Sequence, residues 1–171
     1  GFVAGLVLGR SDGLARVFQP YIVAFNSLPR IALVPLITMI FGFGLLAKIV
    51  LAWSIVFFIV FFNTFQGARS VDADLIHSAR FLGASERQIM TSVVVPSALA
   101  WTFASLTPSI SFALIGVVVG EFIGGESGGG LGFLIIPSLG TLNAADMMVA
   151  LFVLGVIGIV MALGIKQVEA R

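Results

Sequence analysis

The side chains able to do chemistry are concentrated in residues 72–96, DADLIHSARFLGASERQIMTSVVVP, the one long polar interruption in an otherwise apolar chain. His77, Arg80, Glu86 and Arg87 stand there beside the small residues Ser78, Ala79, Gly83 and Ala84. Such a set suits recognition, because charged groups find a partner's polar atoms while small residues let two backbones approach closely. It does not suit catalysis. One histidine and no cysteine exclude the common zinc sites, and the carboxylates are scattered along the chain. The glycine-rich run GGESGGGLG lacks the lysine that would reach a phosphate, so no nucleotide loop is expected there. Neither a cofactor nor a metal is expected in this chain.

Two helical signals position the recognition residues. Asp72 can N-cap a short helix whose Leu75, Ala79 and Leu82 make one stripe, and Gly83 fits the left-handed residue that ends it. Ser85 reopens a helix at once, since Ser85 and Gln88 have the spacing of a capping box ahead of Ile89, Met90 and Val93. The spacing predicts helix, glycine elbow, helix over 72–92. The alternative use of such a pair is simply to join two membrane spans.

Composition sets the frame. The chain is 59% hydrophobic and 10% charged with a mean hydropathy of +1.16, against roughly 25% charged residues in a soluble domain. That predicts an all-α, polytopic helical bundle in a lipid bilayer. A net charge of +1 argues against a nucleic-acid partner. Spans are expected at about 1–9 (partial), 29–43, 46–67, 94–120 and 145–165 of a single domain covering 1–171. Drawn as one straight helix, residues 31–68 would measure roughly 57 Å against a hydrocarbon core of about 30 Å. The chain must turn, and Gly42-Phe43-Gly44 is the place. Residues 1–9 make half a span, so the chain is expected to begin inside a helix with one or more spans upstream, and no cleaved signal peptide is expected. In 10–30, Leu14, Val17, Phe18, Tyr21, Ile22, Phe25 and Leu28 share one face, which suits an interfacial helix bent near Pro20 or the amphipathic start of the next span.

Arginine and lysine orient the bundle. Arg10, Arg16 and Arg30 lie in one polar segment, Arg69, Arg80 and Arg87 in another, and Lys166 and Arg171 in the tail, whereas none falls between Glu121 and Asp146. The elbow is expected on the cytoplasmic side, and the acidic loop with Glu121, Glu126 and Asp146 outside. Thr102, Ser105 and Ser109 recur on one face of the long third span, where hydroxyls could donate to a passing oxyanion or pack helices closely and bond back to their own carbonyls. Pro108 is expected to kink that span. Phe57, Phe58, Phe61, Phe62 and Phe65 are expected to face lipid or a neighbouring helix. Gly124 to Gly132 is expected to be an external turn leading into a short apolar helix near Pro137. No span interior carries an ionisable residue, so a proton-coupled engine is not expected, and energy must arrive from a partner chain.

At the elbow the chain resembles the permease subunits of binding-protein-dependent ABC importers. Their cytoplasmic pattern is Glu-Ala-Ala, three residues, Gly, nine residues, then Ile-x-Leu-Pro. Here His77-Ser78-Ala79 is followed three residues later by Gly83, and nine more lead to Val93-Val94-Val95-Pro96, with His77 in place of Glu and Ser78 in place of the first Ala. The flanking Asn26-Ser27-Leu28-Pro29 and Ala32-Leu33-Val34-Pro35-Leu36 look most like the nitrate, sulfonate, taurine and bicarbonate branch. The resemblance covers essentially the whole chain. It implies a type I importer permease fold, and a non-catalytic subunit of the prokaryotic inner membrane that carries a small anion. It implies docking of cytoplasmic ATPase subunits, which bind the ATP, at His77, Ser78, Ala79, Arg80, Phe81, Leu82, Gly83 and Ala84. A second permease copy and an outer substrate-binding protein, received on the side of Glu121 and Glu126, complete the implied assembly. An ATP-independent carrier or channel is the rival reading, with a membrane scaffold behind it.

Overall fold

A computed structural model describes residues 1–169, apart from the side chains of 125–128 and 168–169. Among the described residues every regular element is helical: α1 (Phe2–Arg10), α2 (Asp12–Ser27), α3 (Val34–Phe41), α4 (Leu45–Arg69), α5 (Ala73–Phe81), α6 (Glu86–Ile89), α7 (Val95–Gly128), α8 (Leu131–Gly140) and α9 (Ala144–Glu169). Helix is what a bilayer demands, since lipid cannot satisfy free backbone N–H and C=O groups. Three described stretches are long and apolar enough to cross a membrane: Leu45–Arg69, Glu86–Gly124 and Ala144–Gln167. Residues 30–41 are divided into a 3₁₀ turn, Arg30–Leu33, and the eight-residue α3. The expected turn after it is present, with Gly42 capping α3 at φ +75.

The chain forms two compact units. The first comprises 1–28 and 57–106. In it α1 lies against α4 along a seam of glycines four residues apart. A Cβ on Gly1 would come 2.8 Å from Phe57 O, one on Gly5 2.6 Å from Phe61 O, and one on Gly9 2.7 Å from Ala68 Cβ. Small residues let helices meet backbone to backbone where no water drives them together. Phe25 of α2 stacks on Phe58 of α4 at 5.7 Å, and within α4 Phe57, Phe61 and Phe65 stack in succession. The apolar face of α2 otherwise stays open, with Val17 and Tyr21 exposed.

The same unit holds the core beneath the elbow. Ala68, Ile89, Val94 and Ala98 are buried together, with Phe2, Leu6, Val71, Ile76, Ala79, Ala84 and Met90 packed around them. Between α6 and α7 the helix widens into a π turn, Met90–Val94. Pro96 explains it: proline has no N–H for the carbonyl of Ser92, and its ring would crowd that oxygen in a regular α turn. Downstream, α7 continues as helix through Pro108.

The second unit comprises 29–56 and the residues from 107 onward. Leu51 and Ile55 are buried there, and Gly116 leaves room for Ile55, a Cβ on that glycine falling 2.7 Å from Ile55 Cδ1. The expected apolar helix near Pro137 is α8, which packs on α9.

The glycine seam makes a prediction. Gly5→Leu should force α1 off α4 and cost about 1–3 kcal/mol, the usual range for overpacking. Gly13→Ala, where a Cβ would meet nothing within 4 Å, should be neutral. Thermal melting of both variants in detergent, followed by helical circular dichroism, checks the contrast.

Candidate functional site

The elbow is built from its caps. Asp72 accepts a hydrogen bond from Asp74 N at 2.9 Å and starts α5. Gly83, at φ +83, ends it, with Gly83 N donating to Arg80 O and Ala84 N donating to Ala79 O, the paired bonds of a Schellman motif. One residue later the capping box closes: Ser85 N donates to Gln88 Oε1 at 2.8 Å and Gln88 N to Ser85 Oγ at 3.3 Å. The predicted helix, glycine, helix order is therefore present at 72–89.

The inward face differs from the expected stripe. Ile76, Ala79 and Ala84 pack on the core, whereas Leu75 and Leu82 are exposed. The stripe assumed helix through 82, but α5 ends at Phe81 and Leu82 is already its cap, so helical spacing no longer places its side chain. Of the eight expected docking residues, Ala79 and Ala84 are thus anchors turned toward the protein. His77, Ser78, Arg80, Phe81, Leu82 and Gly83 are exposed, and Phe81 and Leu82 are 92% and 89% exposed. Two bare apolar side chains at the tip of a doubly capped turn make a rigid knob whose apolar surface invites a partner.

Charges brace the knob from one side. Glu86 Oε1 accepts from Arg80 Nε at 2.9 Å, and its other oxygen pairs with Arg10 at the end of α1. The hydrogen bond from Arg80, with the fields of both arginines, holds the Glu86 carboxyl below the usual carboxylate range. That lowered pKa stabilises the elbow at every pH above the ordinary carboxylate value, and the contribution is lost as pH falls through the lowered one. A further pair, Arg69 with Asp12 at 3.1 Å, ties the end of α4 to α2. Sequence reasoning missed both long-range pairs, since 76 and 57 residues separate the partners.

The expected pathway hydroxyls are buried. Thr102 Oγ1 donates to Ala98 O and lies 2.7 Å from Thr64 Oγ1, while Ser105 Oγ donates to Thr102 O. Ser109 is buried as well. The Thr102 and Ser105 hydroxyls thus bond back within α7, and that of Thr102 also touches α4.

Glu121 is not in a loop. Expected in the acidic loop on the outer side, it lies instead within the helix α7, 8% exposed, and its carboxylate pairs with Lys48 of α4 at 3.2 Å. Helix continues past the position where the sequence, turning glycine-rich, suggests a loop, so Glu121 faces the protein, and with Lys48 it places two ionisable groups within the ends of apolar stretches expected to hold none. The side chain of Glu126, its expected neighbour on the outer side, and Arg171 lie outside the described residues. Among the described residues no group of three or more metal-ligating side chains comes together.

The sequence has counterparts among known proteins. Residues 1–168 match the family described as binding-protein-dependent transport system inner membrane component, and the chain belongs to that family. The formylaminopyrimidine transport permease protein ThiX of Halalkalibacterium halodurans is 27% identical over 99% of this chain and 67% of its own length. The putative aliphatic sulfonates transport permease protein SsuC of Bacillus subtilis is 30% identical over 92% of this chain and 56% of its own. The taurine transport system permease protein TauC of Escherichia coli is 29% identical over 100% of this chain and 62% of its own. The chain thus spans between about half and two thirds of the length of these relatives.

Ser85→Ala should remove the elbow's N-cap at a cost of about 1 kcal/mol. Amide exchange of the 85–90 segment at pH 7 should quicken by roughly fivefold, with α9 unchanged as the internal control.

Proposed function

We propose that this chain is the transmembrane subunit of a binding-protein-dependent ABC importer, a non-catalytic permease whose elbow seats in a cytoplasmic ATPase subunit. The observation that carries the proposal is the pair Phe81 and Leu82, almost wholly exposed on a turn that two caps hold rigid. An apolar tip on a rigid base fits a cleft in a partner better than it fits water. His77 and Arg80 flank it and supply polar contacts at the rim. The excess of arginine around the elbow supports a cytoplasmic orientation. A second permease copy completes the passage, and a substrate-binding protein delivers solute on the opposite side of the inner membrane.

For the solute we propose a small oxyanion of the sulfonate kind. Two relatives bear names of that class, the aliphatic sulfonate and taurine permease proteins, and the sequence around Pro29 and Pro35 has the look of the same branch.

Phe81→Ser combined with Leu82→Ser should leave membrane insertion intact, because neither side chain belongs to the core, yet weaken ATPase copurification by about thirtyfold or more, as for a lost hot spot. Gly83→Val should act in the same direction through backbone strain of roughly 1–2 kcal/mol, since a Cβ there meets no neighbour within 4 Å. In proteoliposomes holding the assembled importer, the parent should take up labelled taurine and both variants should not. Variants that keep their ATPase would contradict the docking role, and uptake of a formylaminopyrimidine in place of taurine would contradict the solute assignment.

A further inference from the structure

We propose that Lys48 and Glu121 are positioning residues, a clasp whose polarity is matched to the backbone of the turn between α7 and α8 and which fixes where α8 begins. Their charged groups lie 3.2 Å apart, and the side chains are only 12% and 10% exposed. The two groups also engage the turn. Lys48 Nζ donates to Gly129 O at 2.8 Å, and Gly132 N donates to Glu121 Oε2 at 2.7 Å. An ammonium can only donate and a carboxylate only accept, so each is set against the one kind of backbone group it can satisfy. Exchanging them would point an N–H at an ammonium and a carbonyl at a carboxylate.

The turn is cut to fit the clasp. A Cβ on Gly130 would fall on the Glu121 carboxylate, and one on Gly132 would come 2.8 Å from Glu121 Oε2 and 3.0 Å from Val118 O. Gly129 and Gly130 hold φ of +52 and +116, which side chains disfavour. Glu121 also stands at the first turn of α8, where the helix's partial positive charge favours an anion. A buried ion pair is often no more stabilising than well-packed apolar side chains. What apolar side chains could not supply is an acceptor for Gly132 N and a donor for Gly129 O. The clasp therefore sets geometry, tying α4, α7 and the entry of α8 into one arrangement.

The test is amide exchange of the 129–134 segment in the full chain, with α9 as reference, for Glu121→Gln, Glu121→Leu and the exchanged pair Lys48→Glu with Glu121→Lys. Glutamine keeps an acceptor for Gly132 N, so its protection should fall by less than about fivefold, whereas leucine should lose about ten- to a hundredfold. The exchanged pair should lose protection as leucine does, although opposite charges again face each other. Parental protection in the exchanged pair would overturn the proposal, because the two groups would then be an ion pair indifferent to direction. Equal losses in the glutamine and leucine variants would overturn it too, and that comparison decides the matter if the exchanged pair fails to insert. Exchange reads the turn and not transport, so the outcome is independent of the permease reading.

Discussion

The packing of Ile89 and Val94 against Ala68 and Ala98 is the contact on which the candidate site depends. A nine-residue helix such as α5 does not persist on its own in water, because nucleation costs more than so few hydrogen bonds return. Its inward residues Ile76 and Ala79, with Ala84 beyond the glycine, supply the missing stability by joining that core. With these pointing inward, the large apolar side chains at the bend, Phe81 and Leu82, are left facing outward. The braces from Glu86 to Arg80 and Arg10 orient the knob, but they are substantially exposed, and exposed pairs hold little energy. Apolar anchoring fixes the elbow, and charge aims it.

The same division recurs among the spans. Within a bilayer apolar side chains gain nothing by meeting one another in place of lipid, so helices are held by close approach and by hydrogen bonds. Gly1, Gly5 and Gly9 let α1 touch the backbone of α4, and the Thr64–Thr102 contact joins α4 to α7. Elsewhere the Lys48–Glu121 pair joins α4 to α7 with two charges that satisfy each other and the adjoining turn. Small residues and satisfied polar atoms thus do in this chain what a greasy core does in a soluble one.

Much of this was legible in the sequence because it is local. The capping box at Ser85 and Gln88, the left-handed Gly83 and the turn at Gly42 each depend on residues within a few positions of one another, and each is where the spacing put it. Long-range partners were not legible. Nothing in the neighbourhood of Arg10 points to Glu86, and nothing near Glu121 points to Lys48. Glu121 was misplaced in a loop because glycines follow it, yet the helix runs on and turns the carboxylate inward. Leu82 was misplaced on a helical stripe because α5 stops one residue earlier. The glycine seam had a visible signal, three glycines at intervals of four in GFVAGLVLG, which becomes informative once α4 is recognised as the helix beside it.

The central claim is that the tip of the elbow enters an ATPase subunit. A photo-crosslinking p-benzoylphenylalanine at position 81, in intact cells, tests it directly. The same group at Leu142, which is 87% exposed in the turn before α9, serves as the control. Illumination should give an adduct of the permease with an ATP-hydrolysing subunit from position 81 and none from position 142. The absence of that adduct at 81, or its equal formation at 142, would contradict the claim.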